Sequence, residues 1–145
     1  MVNFGLLGAG LVMGISALGS AFGVGIAGQG VIGSWKKCYV ANKPAPMLLL
    51  VFAGAPLTQV FYGYILMGQM KEAAFANPEN GLLYLGYGLA SGIAISFSAI
   101  MQGKEAAAGA DSQAETGKGF AQYIAVIGVA ETIALFSMVL TMISL

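Results

Sequence analysis

Four apolar stretches dominate the sequence, and each is long enough to cross a lipid bilayer as a helix. A transmembrane helix needs ~20 residues. The stretches are Leu6–Ile32, Met47–Met70, Leu82–Ala110 and Phe120–Leu145. Strands are disfavoured because lipid-exposed strand edges leave backbone groups without hydrogen-bond partners. We therefore predict an all-α membrane protein with four transmembrane helices.

The composition supports the membrane class and excludes several others. Only 8% of the 145 residues are charged and 58% are hydrophobic, whereas soluble domains are ~25% charged. The net charge is zero, so no basic stripe is available for a nucleic-acid partner. The single cysteine, Cys38, excludes an intrachain disulfide. The segment MVNFGLLGAG lacks a basic n-region, so we expect the first apolar stretch to be retained.

The lysines are distributed unevenly among the connections between these stretches. Of the six basic residues, five lie in or beside the predicted loops 34–46 and 110–119, and Lys71 is the sixth. Cytoplasmic loops carry an excess of Lys and Arg. We therefore predict that these two loops are cytoplasmic and that both termini lie outside.

The chain also reads as a duplication of two tandem helical hairpins, residues 1–71 and 80–145. At least seven positions of the first stretch align with identical residues of the third at an offset of 78, among them Gly10 with Gly88, Gly14 with Gly92, and Ser20 with Ser98. The second and fourth stretches align at an offset of 74, which sets Leu57 opposite Glu131. Only the second hairpin therefore carries a carboxylate at this depth.

Small residues line one face of the first and third stretches. Membrane helices associate by close backbone approach over such faces. The predicted contact faces are Gly10, Gly14, Ala21, Gly25 and Gly28 on the first stretch, and Gly88, Gly92, Ser96, Ala99, Gly103 and Ala106 on the third. The order small, bulky, small, bulky suits a closed homo-oligomeric ring with the small helices inside. An ordinary four-helix bundle is the alternative.

Glu131 is the only charged residue of the fourth stretch. A carboxylate at the centre of a membrane helix costs roughly 2.5–3.5 kcal/mol on insertion scales. Such a group is therefore expected to bind a proton, a cation or a partner side chain.

Several polar groups can converge on Glu131. Ala55, Thr58, Gln59 and Tyr62 follow the spacing i, i+3, i+4 and i+7 and so share one helix face. The third stretch adds Gln102 near the same depth. Pro56 interrupts the second helix beside this face and is expected to leave the Phe52 carbonyl unpaired.

This set of oxygens suits a hard cation, and one carboxylate matches a single positive charge. Sodium is the natural candidate. The proton alternative stays open because a buried carboxylate in such a site can also bind a proton. Interhelical hydrogen bonding without any ion is a third interpretation of the same polar residues.

The motifs AETIALF, PLTQVFYG and SAIMQGKEAAAG, in this duplicated four-helix frame, resemble the rotor-ring proteolipid of V-type ATPases. This is the proteolipid known as K or c, and the resemblance is closest to the sodium-translocating bacterial form. It implies a closed ring of identical subunits in lipid. It also implies a membrane stator subunit that bears an arginine, and a central-stalk subunit at the cytoplasmic loops.

The resemblance implies a role for each polar residue. Glu131 matches the ion-binding carboxylate, while Thr58, Gln59 and Gln102 match its side-chain oxygen ligands. At Ala55 only the backbone carbonyl role carries over, because the family usually has another residue there. Tyr62 matches the tyrosine that hydrogen-bonds the carboxylate and holds the site closed.

The expected function is Na⁺ translocation coupled to ATP hydrolysis or synthesis in a soluble sector. The chain has no Gly-x-x-x-x-Gly-Lys-Ser/Thr nucleotide motif, so we expect a non-catalytic subunit. With Leu57 in place of a second carboxylate, fewer ions cross per turn, which favours pumping. The alternatives are a proton-translocating ring and a small four-helix secondary transporter. We expect a cell membrane location, with the vacuolar membrane as the alternative.

Overall fold

A computed structural model describes residues 3–145, and every regular element in that range is helical. The helices are α1 (Phe4–Val40), α2 (Leu50–Gly54), α3 (Thr58–Ala76), α4 (Gly81–Thr116) and α5 (Phe120–Ser144), with 3₁₀ turns at Met47–Leu49, Ala55–Leu57 and Pro78–Asn80. Four helical runs in the described chain are long and apolar enough to span a membrane: Phe4–Val40, Met47–Ala76, Pro78–Thr116 and Phe120–Ser144. The predicted all-α membrane fold is confirmed.

Two of the predicted loops are largely helical. Within 34–46, helix α1 continues to Val40, and within 110–119, helix α4 continues to Thr116. The polar residues that suggested loops lie on helix surfaces, and Lys37 Nζ forms an exposed 2.6 Å ion pair with Asp111 Oδ1. Packing of α1 along α4 sustains both helices beyond the apolar stretches, which polarity alone does not predict. Only residues 41–46 and 117–119 are non-helical at this end. The middle connection is also shorter than expected, because α3 runs to Ala76.

The connection between α4 and α5 depends on two glycines with left-handed backbone conformations. Gly117 has φ 67° and Gly119 has φ 88°, values that residues with a Cβ rarely adopt. Gly117 closes α4, and its N–H donates to the Gln113 carbonyl. This three-residue turn sets α5 directly against α4.

Helices α1 and α4 form the most extensive contact in the described chain. Their backbones meet at Gly8 against Gly88 and at Gly23 against Gly103, where an added Cβ would overlap the facing backbone. The α4 stripe therefore makes the predicted kind of close contact.

The glycines of the predicted contact face of α1 do not pack against other helices within residues 3–145. Its glycines Gly10, Gly14, Gly25 and Gly28 have open space where a Cβ would stand. The glycines that meet neighbouring helices are Gly5, Gly8, Gly19, Gly23 and Gly30. Helix α1 carries glycine on two faces, and periodicity does not distinguish the face that packs inside the chain from the face left outside.

Pro56 separates α2 from α3 by the 3₁₀ turn Ala55–Leu57. The Phe52 carbonyl was expected to lack a partner, but it accepts the Ala55 N–H. The tighter winding of the 3₁₀ turn replaces the bond that proline removes. The 3₁₀ turn ends at Leu57, and α3 begins at Thr58, which is one of the predicted ligands.

Candidate ion-binding site

Glu131 projects from α5 towards α3, where two hydroxyl groups meet the same carboxylate oxygen. Oε1 accepts hydrogen bonds from Thr58 Oγ1 at 2.6 Å and from the Tyr62 hydroxyl at 2.5 Å. Thr58 and Tyr62 lie four residues apart on α3 and so share a face. All three residues are half-buried. These bonds join α3 to α5 through the carboxylate.

Two glutamines complete the cluster from its inner side. Gln59 and Gln102 are fully buried, and Gln59 Nε2 donates to Gln102 Oε1 at 2.6 Å. Gln102 Nε2 donates to the Ile127 carbonyl at 3.1 Å and to Glu131 Oε2 at 3.3 Å. The candidate residues from α3, α4 and α5 are thus brought together.

The orientation of Gln102 differs from the predicted one. A backbone carbonyl only accepts hydrogen bonds, so the Gln102 side chain must turn its amide nitrogen towards Ile127. The same nitrogen then faces Glu131, and the amide oxygen faces Gln59. In this arrangement Gln102 offers the carboxylate a donor, and its oxygen keeps one lone pair for another ligand.

Oxygen atoms from four residues cluster at the start of α3. Thr58 Oγ1 lies 2.6 Å from Glu131 Oε1, 3.4 Å from the Ala55 carbonyl oxygen and 3.4 Å from Gln59 Oε1. Hard cations the size of Ca²⁺ bind oxygens at about 2.3–2.6 Å. Two adjacent oxygens at a right angle around such an ion are then about 3.3–3.7 Å apart. The two longer separations match such a shell, and the shorter one is a hydrogen bond.

Neutral groups hold the carboxylate. Glu131 forms no ion pair with any residue of 3–145, where the one salt bridge is Lys37 with Asp111. Its partners are two hydroxyls and one amide. Hydrogen bonds to an ionised group are stronger than bonds between neutral groups. The arrangement therefore stabilises a negative charge without cancelling it.

Sequence reasoning missed one residue next to the site. Ser98 on α4 is buried, and its hydroxyl donates to the Ala130 carbonyl of α5 at 2.7 Å. The available signal was its position, one helical turn before Gln102 on the same face. A serine among small residues otherwise reads as helix packing.

The second half of the chain matches a known family. Residues 85–144 match the family described as the C subunit of ATP synthase. The matched segment contains Gln102 and Glu131, whereas Thr58, Gln59 and Tyr62 precede it.

A comparison with curated proteins extends over nearly the whole chain. The chain is 33% identical over 142 residues to the A-type ATP synthase subunit K of Methanocaldococcus jannaschii, and the alignment covers 97% of this chain. The chain spans 61% of that relative's length. The matched family and the relative are both parts of ATP synthases, in agreement with the resemblance seen in the short motifs, and neither comparison distinguishes a sodium form from a proton form.

Proposed function

We propose that this chain is a non-catalytic subunit of the membrane rotor ring of an A- or V-type rotary ATPase. Glu131 would carry the transported cation, coupled to ATP hydrolysis or synthesis in other subunits. The observation that carries the proposal is a carboxylate at membrane depth, held by neutral groups from two other helices. It lies inside the segment that matches the C subunit of ATP synthase.

Sodium is the cation we propose as cargo. Thr58 Oγ1 lies 3.4 Å from the Ala55 carbonyl oxygen and 3.4 Å from Gln59 Oε1, which are separations suited to one hard ion, and Glu131 adds its carboxylate beside Thr58. One carboxylate balances one monovalent charge, whereas a divalent ion would leave a net charge in lipid. The free lone pair of Gln102 Oε1 supplies a further ligand. Tyr62 holds the carboxylate on the α3 side and keeps the site closed.

A proton is the second candidate, because the polar groups of the site are paired without a metal ion. The amide nitrogen of Gln102, rather than its oxygen, faces Glu131. With both hydroxyls, the site can hold the carboxylate without any metal ion.

Two unpartnered surfaces support assembly with identical subunits. The outer glycines of α1, represented by Gly14 and Gly25, have open space around them. An apolar groove of about 270 Å³ lies beside the half-exposed Leu57. Copies of this chain would cover both surfaces in a closed ring. With one carboxylate per four helices, such a ring moves fewer ions per turn, which favours pumping.

The topology and the other partners follow from the same proposal. The ends that carry Lys37, Lys43 and Lys118 would face the cytoplasm and meet a central-stalk subunit. An arginine of a membrane stator would interact with Glu131 as the ring turns. We propose a cell membrane location, with the vacuolar membrane as the alternative.

Carbodiimide labelling of the isolated ring tests the site and the cargo together. We expect dicyclohexylcarbodiimide to modify Glu131, and NaCl to protect it at neutral pH. Thr58→Ala should raise the half-protecting sodium concentration about tenfold, because it removes a hydroxyl from the oxygen cluster. Thr58→Ser, which keeps the hydroxyl, is the matched control.

Three outcomes would contradict the proposal at different levels. Labelling without sodium protection would favour the proton. Equal loss of sodium and proton binding in Thr58→Ala would indicate interhelical hydrogen bonding alone. A dimeric mass in mild detergent would exclude the ring and favour a secondary transporter.

A further inference from the structure

The contact between α4 and α5 contains two side-chain hydrogen bonds that end on the backbone just before Glu131. Ser98 donates to the Ala130 carbonyl at 2.7 Å, and Gln102 donates to the Ile127 carbonyl at 3.1 Å. Both donors are buried, at 3% and 0% exposure. In an α-helix the carbonyl of Ile127 pairs with the N–H of Glu131 itself. Helix α4 thus holds the single turn from which the carboxylate projects.

These two bonds differ in their relation to the carboxylate. Gln102 also contacts Glu131, so its effect on the backbone is mixed with its effect on the side chain. Within residues 3–145, the hydroxyl of Ser98 bonds only the Ala130 carbonyl. Any influence of Ser98 on the site must therefore pass through the position of α5.

The duplicated hairpin provides an internal comparison. Ser20 stands at the position of Ser98, and Val24 stands at the position of Gln102. Ser20 is equally buried, at 3% exposure, yet its hydroxyl has no hydrogen-bond partner among residues 3–145. The serine is present in both hairpins, but its bond to the facing backbone exists only beside the carboxylate.

We propose that Ser98 is a positioning residue of the ion site, which sets the rotation and height of the Glu131 turn against Thr58 and Tyr62. The proposal rests on the cation-binding role of Glu131. The two hydroxyls on α3 can both donate to Oε1 only over a narrow range of carboxylate positions, because both hydrogen bonds are short. Without the Ser98 bond, the α5 turn can shift and both bonds lengthen.

The test compares Ser98→Ala with Ser20→Ala in the intact ATPase complex. The readout is the NaCl concentration that half-protects Glu131 from dicyclohexylcarbodiimide. One buried neutral hydrogen bond corresponds to a change of about two- to tenfold. We expect a rise in this range for Ser98→Ala and no change for Ser20→Ala. Ser91→Ala is a second control, since it breaks a 2.7 Å contact with Thr141 elsewhere between α4 and α5.

The native mass of the ring separates assembly from positioning, because a purely structural role lowers ring yield without moving the half-protecting concentration. An unchanged concentration in Ser98→Ala, or an equal rise in Ser91→Ala, would overturn the proposal. If Ser98→Ala does not assemble, Ser98→Gly also removes the hydroxyl, and wild-type protection in that variant would overturn the proposal as well.

The two proposals fail separately. If sodium does not protect the wild-type ring, the sodium assignment fails, and the labelling rate of Glu131 without sodium becomes the readout for Ser98. A faster rate in Ser98→Ala than in Ser20→Ala would then support the positioning role. Equal rates would exclude it.

Discussion

The two hairpins predicted from the sequence, residues 1–71 and 80–145, differ where the chemistry lies. The second hairpin contributes Glu131, which accepts hydrogen bonds from the amide of Gln102 and from the Thr58 and Tyr62 hydroxyls of the first hairpin. In the first, Leu57 stands at the matching position and is 52% exposed. The groove beside it is lined by Ala17, Ser20, Ala21, Val24, Leu57 and Val60. The contrast shows that the helical frame does not by itself create a site. Polar side chains gather around position 131, whereas mostly apolar side chains surround position 57.

The sharpest way to break this contrast is to make the second hairpin neutral. Glu131→Gln keeps the size of the side chain but removes its charge, so the site has no group to balance a cation. We expect ATP-driven ²²Na⁺ uptake into proteoliposomes to fall to background, while the native mass of the ring stays unchanged. Residual uptake well above background would show that the cation moves by another route.

The reverse change gives the first hairpin a carboxylate. Leu57→Glu introduces a carboxylate that lacks an amide partner, because Val24 stands at the position that matches Gln102. Insertion of an uncompensated carboxylate costs roughly 2.5–3.5 kcal/mol, so we expect the ring to dissociate in SDS at a lower temperature. Leu57→Met, a swap of similar volume, should have little effect.

Labelling sharpens the same experiment. The carboxylate introduced at position 57 should react with carbodiimide without sodium protection, while Glu131 in the same ring is protected. Equal protection of both positions would mean that the frame alone makes a site, contrary to the comparison of the hairpins.

Much of the architecture follows from the sequence because membrane physics leaves few choices. Apolar length predicts the spans, and the spacing of Thr58 and Tyr62 predicts that they share the face towards Glu131. The end of an apolar stretch does not predict the end of a helix, because α1 continues beyond its apolar stretch to Val40 along α4. Periodicity on one helix cannot tell which glycine face is used when both faces carry glycine.

The orientation of the polar side chains depends on backbone carbonyls of the facing helix, which the pattern of side chains does not specify. The direction of the Gln102 amide is set by the Ile127 carbonyl, which belongs to the backbone of another helix. The same is true of Ser98 and the Ala130 carbonyl. Sequence spacing predicts which side chains share a face, but the partners on the facing backbone depend on the register of two helices.

The smallest of these changes removes one hydroxyl oxygen that the first hairpin contributes to the surroundings of Glu131. Tyr62→Phe deletes the hydroxyl that donates to Glu131 Oε1 at 2.5 Å and leaves Thr58 and Gln102 in place. A hydrogen bond to a charged group contributes about 1.5–3 kcal/mol, so the closed arrangement should weaken at least about tenfold. We expect carbodiimide to label Glu131 correspondingly faster at fixed pH. Tyr64→Phe, on the same helix at an exposed position, is the matched control and should label at the wild-type rate. If Tyr62→Phe labels no faster than this control, Thr58 and Gln102 suffice to hold the carboxylate, and the difference between the hairpins reduces to Glu131 and its remaining partners.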